Sequence, residues 1–159
     1  MDYGIYYSVI NYLVMPAWLL LVILPKHDIT RKLVHSGIYP VVFGAFYLVL
    51  WLRALAFGES AEGGGFATLE TVMTAFSHPN VTLMGWAHYL VFDLFVGAWI
   101  GRDALARGVN HFMMVPCLLF AFLAGPIGLL LYLVLRQMTG KGSVMALGGD
   151  QVGNGKRAG

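Results

Sequence analysis

One long apolar run, Gly85-Trp-Ala-His-Tyr-Leu-Val-Phe-Asp-Leu-Phe-Val-Gly-Ala-Trp-Ile-Gly-Arg-Asp-Ala104, carries an imidazole at His88 and a carboxylate at Asp93, with Arg102 and Asp103 at its end. These side chains are suited to proton transfer and to polar contact with a ligand. An ionisable group near the middle of a lipid-spanning helix costs about 2.5–3.5 kcal/mol on insertion scales, so its presence points to function by default. A helix turns about 100° per residue, which gathers His88, Tyr89, Phe92, Asp93, Val96 and Asp103 on one side. Ala87, Val91, Leu94 and Ala98 fill the opposite, wholly apolar side. The pattern predicts a lipid-facing back and a polar front turned toward protein. His88 and Asp93, at i and i+5, sit about 140° apart, a spacing that suits the two sides of one bound molecule better than a mutual bond. A structural role is the alternative, with Asp93 bonding Ser8, Asn11 or a tyrosine of the first segment and His88 anchoring at the interface.

The elements that must position these residues are membrane helices. Of the 159 residues 58% are hydrophobic and 11% charged, against about 25% charged in soluble domains, and mean hydropathy is +0.72. Crossing a bilayer takes about 20 apolar residues, and four segments meet that need: Tyr3 to Leu24, His35 to Phe57, Leu83 to Ile100 and Phe112 to Leu135. The expected fold is an all-α membrane protein with four transmembrane helices in a small bundle, spanning residues 1–139, with a disordered polar tail over 140–159. Pro126 should kink the fourth helix. Between the second and third segments, Phe66, Leu69, Met73 and Phe76 recur at helical spacing, predicting a short amphipathic helix in the interface, placed to cover a site entrance. A packed loop is the alternative.

The net charge of +2, without a basic face, excludes a nucleic-acid partner. The single Cys117 reads as a small buried hydrophobe. No phosphate loop, nucleophile elbow, Cys-x-x-Cys or His-Glu-x-x-His pattern occurs, which disfavours hydrolase and nucleotide chemistry. Met1-Asp2-Tyr3-Gly4 carries no basic n-region, so the first helix should be retained, and there is no Arg- and Ser-rich transit extension, which fits a bacterial protein or a processed organellar one; a bacterial inner membrane is expected. Lys26, Arg31, Lys32, Arg102 and Arg107 fall on the short-loop face. Arg53, Arg136, Lys141, Lys156 and Arg157 fall on the other, which also holds Glu59, Glu62 and Glu70. By the positive-inside rule this predicts, by a small margin, both termini outside the cytoplasm.

His27, Asp28, His35, Arg102, Asp103 and His111 gather near the short-loop border, where a metal or haem held by His35 and His111 is conceivable. Polar residues at membrane borders are more often solvated, and no metal or cofactor is expected. Trp18, Trp51, Trp86 and Trp99 fit either a polyene pocket or interface belts. Gly97 and Gly101 form a small-xxx-small pair open to a second helix, whether from a second copy or from a membrane-complex partner.

Trp86-Ala-His88-Tyr-Leu-Val-Phe-Asp93-Leu-Phe-Val-Gly-Ala resembles the signature of the abscisic-acid-deficient-four family, the neoxanthin synthase-like membrane proteins. Leu24-Pro25-Lys26-His27, Asp103, and Gly125-Pro126-Ile-Gly128-Leu-Leu support the match, which runs from about Tyr12 to Arg136. The resemblance implies a carotenoid substrate and an isomerisation without electron transfer. Opening an epoxide to an allenic alcohol requires an acid at the epoxide oxygen and a base at a nearby polyene carbon. A carboxylic acid withdrawn from water tends to keep its proton, and a neutral imidazole can accept one. Asp93 is then the acid and His88 the base, with Trp86, Tyr89, Phe92, Val96 and Asp103 lining the substrate. Two other classes remain: a binding or assembly subunit holding a carotenoid or quinone, and a small haem protein.

Overall fold

The computed structural model describes residues 2–145. Most of the expected tail, from residue 146 on, lies outside them. Among the described residues the chain is helical throughout, without strands: α1 (Tyr3–Ile23), α2 (Asp28–Leu33), α3 (Ile38–Phe57), α4 (Leu69–Phe76), α5 (Pro79–Ala106), α6 (His111–Leu123) and α7 (Gly125–Met138). The chain divides within α5 into two compact units, Met1–Phe95 and Val96–Gly159. Three stretches are long and apolar enough to cross a membrane: Tyr3–Ile23, Asp28–Phe57 and Pro79–Ala106.

In the first unit, the Asp2 carboxylate caps α1 by accepting the Ile5 N–H at 3.1 Å, satisfying a donor that the first turn leaves open. Pro16 lies inside α1 without ending it, as lipid-embedded helices tolerate. α2 folds back on the end of α1, where buried Thr30 donates to the Leu24 carbonyl at 2.6 Å. Gly37 and Gly58 bracket α3 at φ 85° and 65°, a left-handed backbone that glycine adopts without strain. The amphipathic helix expected after the second segment is present as α4. Thr68 and Thr71 form a reciprocal capping box at its start, and Phe66, Leu69 and Met73 stand exposed. Gly64 lets the preceding loop rest on α4, since a Cβ there would lie 2.9 Å from the Ala75 backbone.

The second unit departs from the expected fourth span. Instead of one kinked helix over Phe112 to Leu135, the chain breaks at Ala124, which caps both α6 and α7. Each runs only 13 or 14 residues, about 20 Å against the about 30 Å of hydrocarbon to be crossed. The two fold onto each other. A Cβ on Gly128 would sit 2.2 Å from the Ala121 backbone nitrogen, so the hairpin closes on a glycine. The turn falls just before Pro126, which in a continuous helix would withhold an N–H and clash with a preceding carbonyl but is well placed in the first turn of α7. Contacts to α5 fix the direction: Tyr132 lies against Trp99, Arg136 against Asp103, and Arg107 against Lys141. α7 therefore runs parallel to α5, and the hairpin returns to the end from which α6 set out.

Candidate functional site

The candidate site is built on the first part of α5, which His78 caps by accepting the Asn80 N–H on Nδ1 at 3.2 Å. Asn80, fully buried, donates to the Leu50 carbonyl at 2.9 Å and to the Glu59 carbonyl at 3.1 Å. This one amide ties α3, the following loop and α5 together. A turn and a half further on, Gly85 makes room for Phe76, whose ring a Cβ would meet at 2.5 Å. The end of α4 thus seats on α5 beside Trp86.

Asp93 is 7% exposed, turned into protein as its charge requires. The Tyr89 phenol, one helical turn earlier, hydrogen-bonds its carboxylate. This tyrosine is on the same helix, not on the first segment from which a partner was expected. Asn11 serves another residue, accepting the Trp86 indole N–H at 3.2 Å. Trp86 lies between Tyr7 (centroids 5.6 Å apart) and Tyr89 (5.3 Å, stacked).

His88 stands on a different side from Asp93 and is exposed. Its ring packs on exposed Phe92 at 4.5 Å and faces Tyr47 of α3 at 6.3 Å. The expected lipid-facing back of α5 is reversed: Ala87 and Leu94 are buried in the first unit and Ala98 in the second, while Val91 is half-buried. Lipid is as apolar as protein interior, so an apolar face does not mark the lipid side. Small side chains that admit a close neighbour are the better signal, and Ala87 and Ala98 carry it.

The remaining candidates fall in the second unit, where Val96 is half-buried. Asp103 is engaged by protein: it accepts from the Tyr132 hydroxyl at 2.7 Å, from Arg107 Nε at 2.8 Å and from Arg136 Nη1 at 3.0 Å. Arg136 is 0% exposed, bonds the Ser143 carbonyl and lies 5.9 Å from the Trp99 ring centre. A buried cluster of this kind loses about 3–5 kcal/mol when one partner is removed. Asp103 is thus the clasp of the hairpin, and Trp99 packs on that clasp through Tyr132 and Arg136. Arg136 and Lys141, expected on the long-loop side, lie beside Arg107 instead. Gly97 and Gly101 are buried, so the small-xxx-small pair is not an open seam for a second chain.

At the short-loop border, His27 accepts the Ile29 N–H on Nδ1 at 3.2 Å, and Asp28 pairs with Arg31 at 2.9 Å in solvent. His35 belongs to the first unit and His111 to the second. No group of three or more His, Cys, Asp or Glu residues among the described residues could hold a metal ion.

Sequence reasoning missed a second polar cluster in the first unit. Glu59 accepts from Arg53 Nε at 2.8 Å and from the Tyr3 hydroxyl at 2.9 Å. The Arg53 bonds and the Tyr3 bond hold the Glu59 carboxyl below the usual range. Arg53 and Arg136 were visible in the sequence as lone cations at the ends of apolar runs, but their distant partners were not.

The chain is 27% identical over 128 residues to Protein ABA DEFICIENT 4, chloroplastic, from Arabidopsis thaliana, a match covering 77% of this chain and 56% of that protein. The chain thus spans about half the length of this curated relative. That relative is chloroplastic and lends no support to the expected bacterial inner membrane. No solved structure matches. The family described as ABA DEFICIENT 4-like matches residues 5–132, which take in the helix of His88 and Asp93, Asp103 and the turn between α6 and α7, and the chain belongs to that family.

Proposed function

We propose that this chain is a three-span membrane protein with a re-entrant hairpin that isomerises a carotenoid-class lipid, as the resemblance to neoxanthin synthase-like proteins implies. The observation that carries the reading is Asp93, a buried carboxylate within a membrane-length helix, hydrogen-bonded by Tyr89. In projection Phe92 and Tyr89 occupy the sector between His88 and Asp93, about 40° and 100° from His88. A polyene lying along that sector would have the imidazole on one flank and the carboxylic acid on the other.

Asp93 gives its proton to an epoxide oxygen as the C–O bond breaks, and His88 takes a proton from the adjacent polyene carbon as the allene forms. One proton enters the substrate and one leaves, so no oxidant or reductant is needed. General acid–base groups of this kind contribute about 10²–10⁴-fold each. Expression in a bacterium engineered to make violaxanthin, with pigments read by chromatography, tests the assignment. New pigment should form with the parent chain and be lost, by at least about 10²-fold, in Asp93→Asn and His88→Ala made at normal levels. Unchanged conversion in both variants would overturn it.

A further inference from the structure

Asn11 is a half-buried amide in the apolar α1, and both ends of it are committed. Its Nδ2 donates to the Tyr7 carbonyl one turn back at 2.7 Å, and its Oδ1 accepts the Trp86 indole N–H at 3.2 Å. A backbone carbonyl only accepts and an indole N–H only donates, so a single orientation of the amide serves both. The bond to its own helix holds the amide still, which makes Asn11 a fixed acceptor for a ring on α5.

Trp86, Tyr89 and Asp93 follow one another at i, i+3 and i+7, the spacing of one stripe along α5. Trp86 stacks on Tyr89 with ring centroids 5.3 Å apart and planes 26° from parallel, and Tyr7 of α1 packs on Trp86 at 5.6 Å. Stacking alone leaves an indole able to turn within its own plane, and the bond to Asn11 removes that freedom. The Tyr89 ring is thereby held, and its hydroxyl bonds the Asp93 carboxyl. A protonated carboxyl has one oxygen that carries the proton and one that accepts. A phenol donating to the accepting oxygen leaves the acid proton on the other, so Tyr89 sets the direction in which that proton departs.

We propose that Asn11 is a positioning residue of the reaction: through Trp86 and Tyr89 it fixes the direction in which Asp93 presents its proton. The proposal rests on Asp93 being the acid, as argued above, and names the residue of α1 on which the aim of that acid depends.

The test reads the carboxyl itself. In infrared difference spectra of the full chain in lipid nanodiscs, the C=O stretch of protonated Asp93 is the carboxylic band lost in Asp93→Asn. A hydrogen bond to that oxygen lowers its frequency, so Tyr89→Phe should move the band up. Asn11→Leu keeps the size of the side chain and loses the acceptor, while Trp86→Phe keeps a stacking ring and loses the indole N–H. Each should shift the band in the same direction as Tyr89→Phe. With violaxanthin supplied in the same nanodiscs, each should lower kcat by about two- to tenfold with KM near that of the parent, as for an interaction that acts in the transition state. Where Asn11→Leu does not accumulate, Trp86→Phe gives the same reading at the next link. A band that stays in place in these variants, or a rise in KM alone, would overturn the chain from Asn11 and leave Asp93 as an acid aimed by other means. Loss of no carboxylic band in Asp93→Asn would overturn the acid assignment and this proposal together. A shifted band with absent violaxanthin conversion would uphold the positioning of the carboxyl and overturn the isomerase.

Discussion

Glu59 is the residue whose environment is most sharply set outside the spans. Bonds from Arg53 and Tyr3 stabilise its ionised form, so its carboxyl titrates lower in the folded chain than in the unfolded one. A depressed carboxylate contributes stability that is fully present above its unfolded value, about 4.3, and is lost as pH falls through the folded value. Neither Arg53 nor Tyr3 changes charge in that range. The parent should therefore melt above Glu59→Gln at pH 7, with the gap closing below about pH 4. A gap constant from pH 7 to pH 3 would show that the carboxylate contributes nothing by its charge. At the same scale, the sequence revealed Asp93 through the cost of a charge in lipid, and its burial agrees. It could not reveal that Tyr89 would bond it, because one-turn neighbours and cross-helix neighbours satisfy a carboxylate equally well.

Among the elements, α1 and α4 were legible because their signals are local: an apolar run ending at Leu24-Pro25 for one, the helical spacing of Leu69, Met73 and Phe76 for the other. The hairpin was not legible. Hydropathy runs without interruption from α6 into α7, and Gly128 acquires its meaning only from Ala121, which it meets after the chain has turned back. Gly128→Ala would force a Cβ against that backbone, which cannot yield as a flexible side chain can. We expect a cost of about 1–3 kcal/mol, read as a lower thermal midpoint in detergent, whereas Gly44→Ala, where a Cβ meets nothing within 4 Å, should leave the midpoint near that of the parent. Equal behaviour of the two variants would argue against the close approach of α6 and α7.

At the scale of the whole molecule, the proposed three-span reading changes which side of the membrane residue 144 lies on. A fourth crossing would carry residue 144 to the side opposite the α5–α6 loop. The contacts of Arg136 with Asp103 and of Arg107 with the Lys141 carbonyl keep both on one side. Arg102, Arg107, Arg136 and Lys141 then share that border, the arrangement expected of a cytoplasmic face. On the proposed three-span reading, residue 144 lies on the side opposite to the one the sequence led us to expect for it. In a Cys117→Ala background, Gly108→Cys and Val144→Cys should react with a membrane-impermeant maleimide from the same side. Labelling from opposite sides would restore the fourth span. The tip of the hairpin has its own electrical consequence. At Ala124 the last carbonyls of α6 meet the first amides of α7, so partial charges of about −0.5 and +0.5 adjoin and largely cancel. A single half-helix ending inside a membrane draws an ion to its bare pole; this paired tip presents almost no pole.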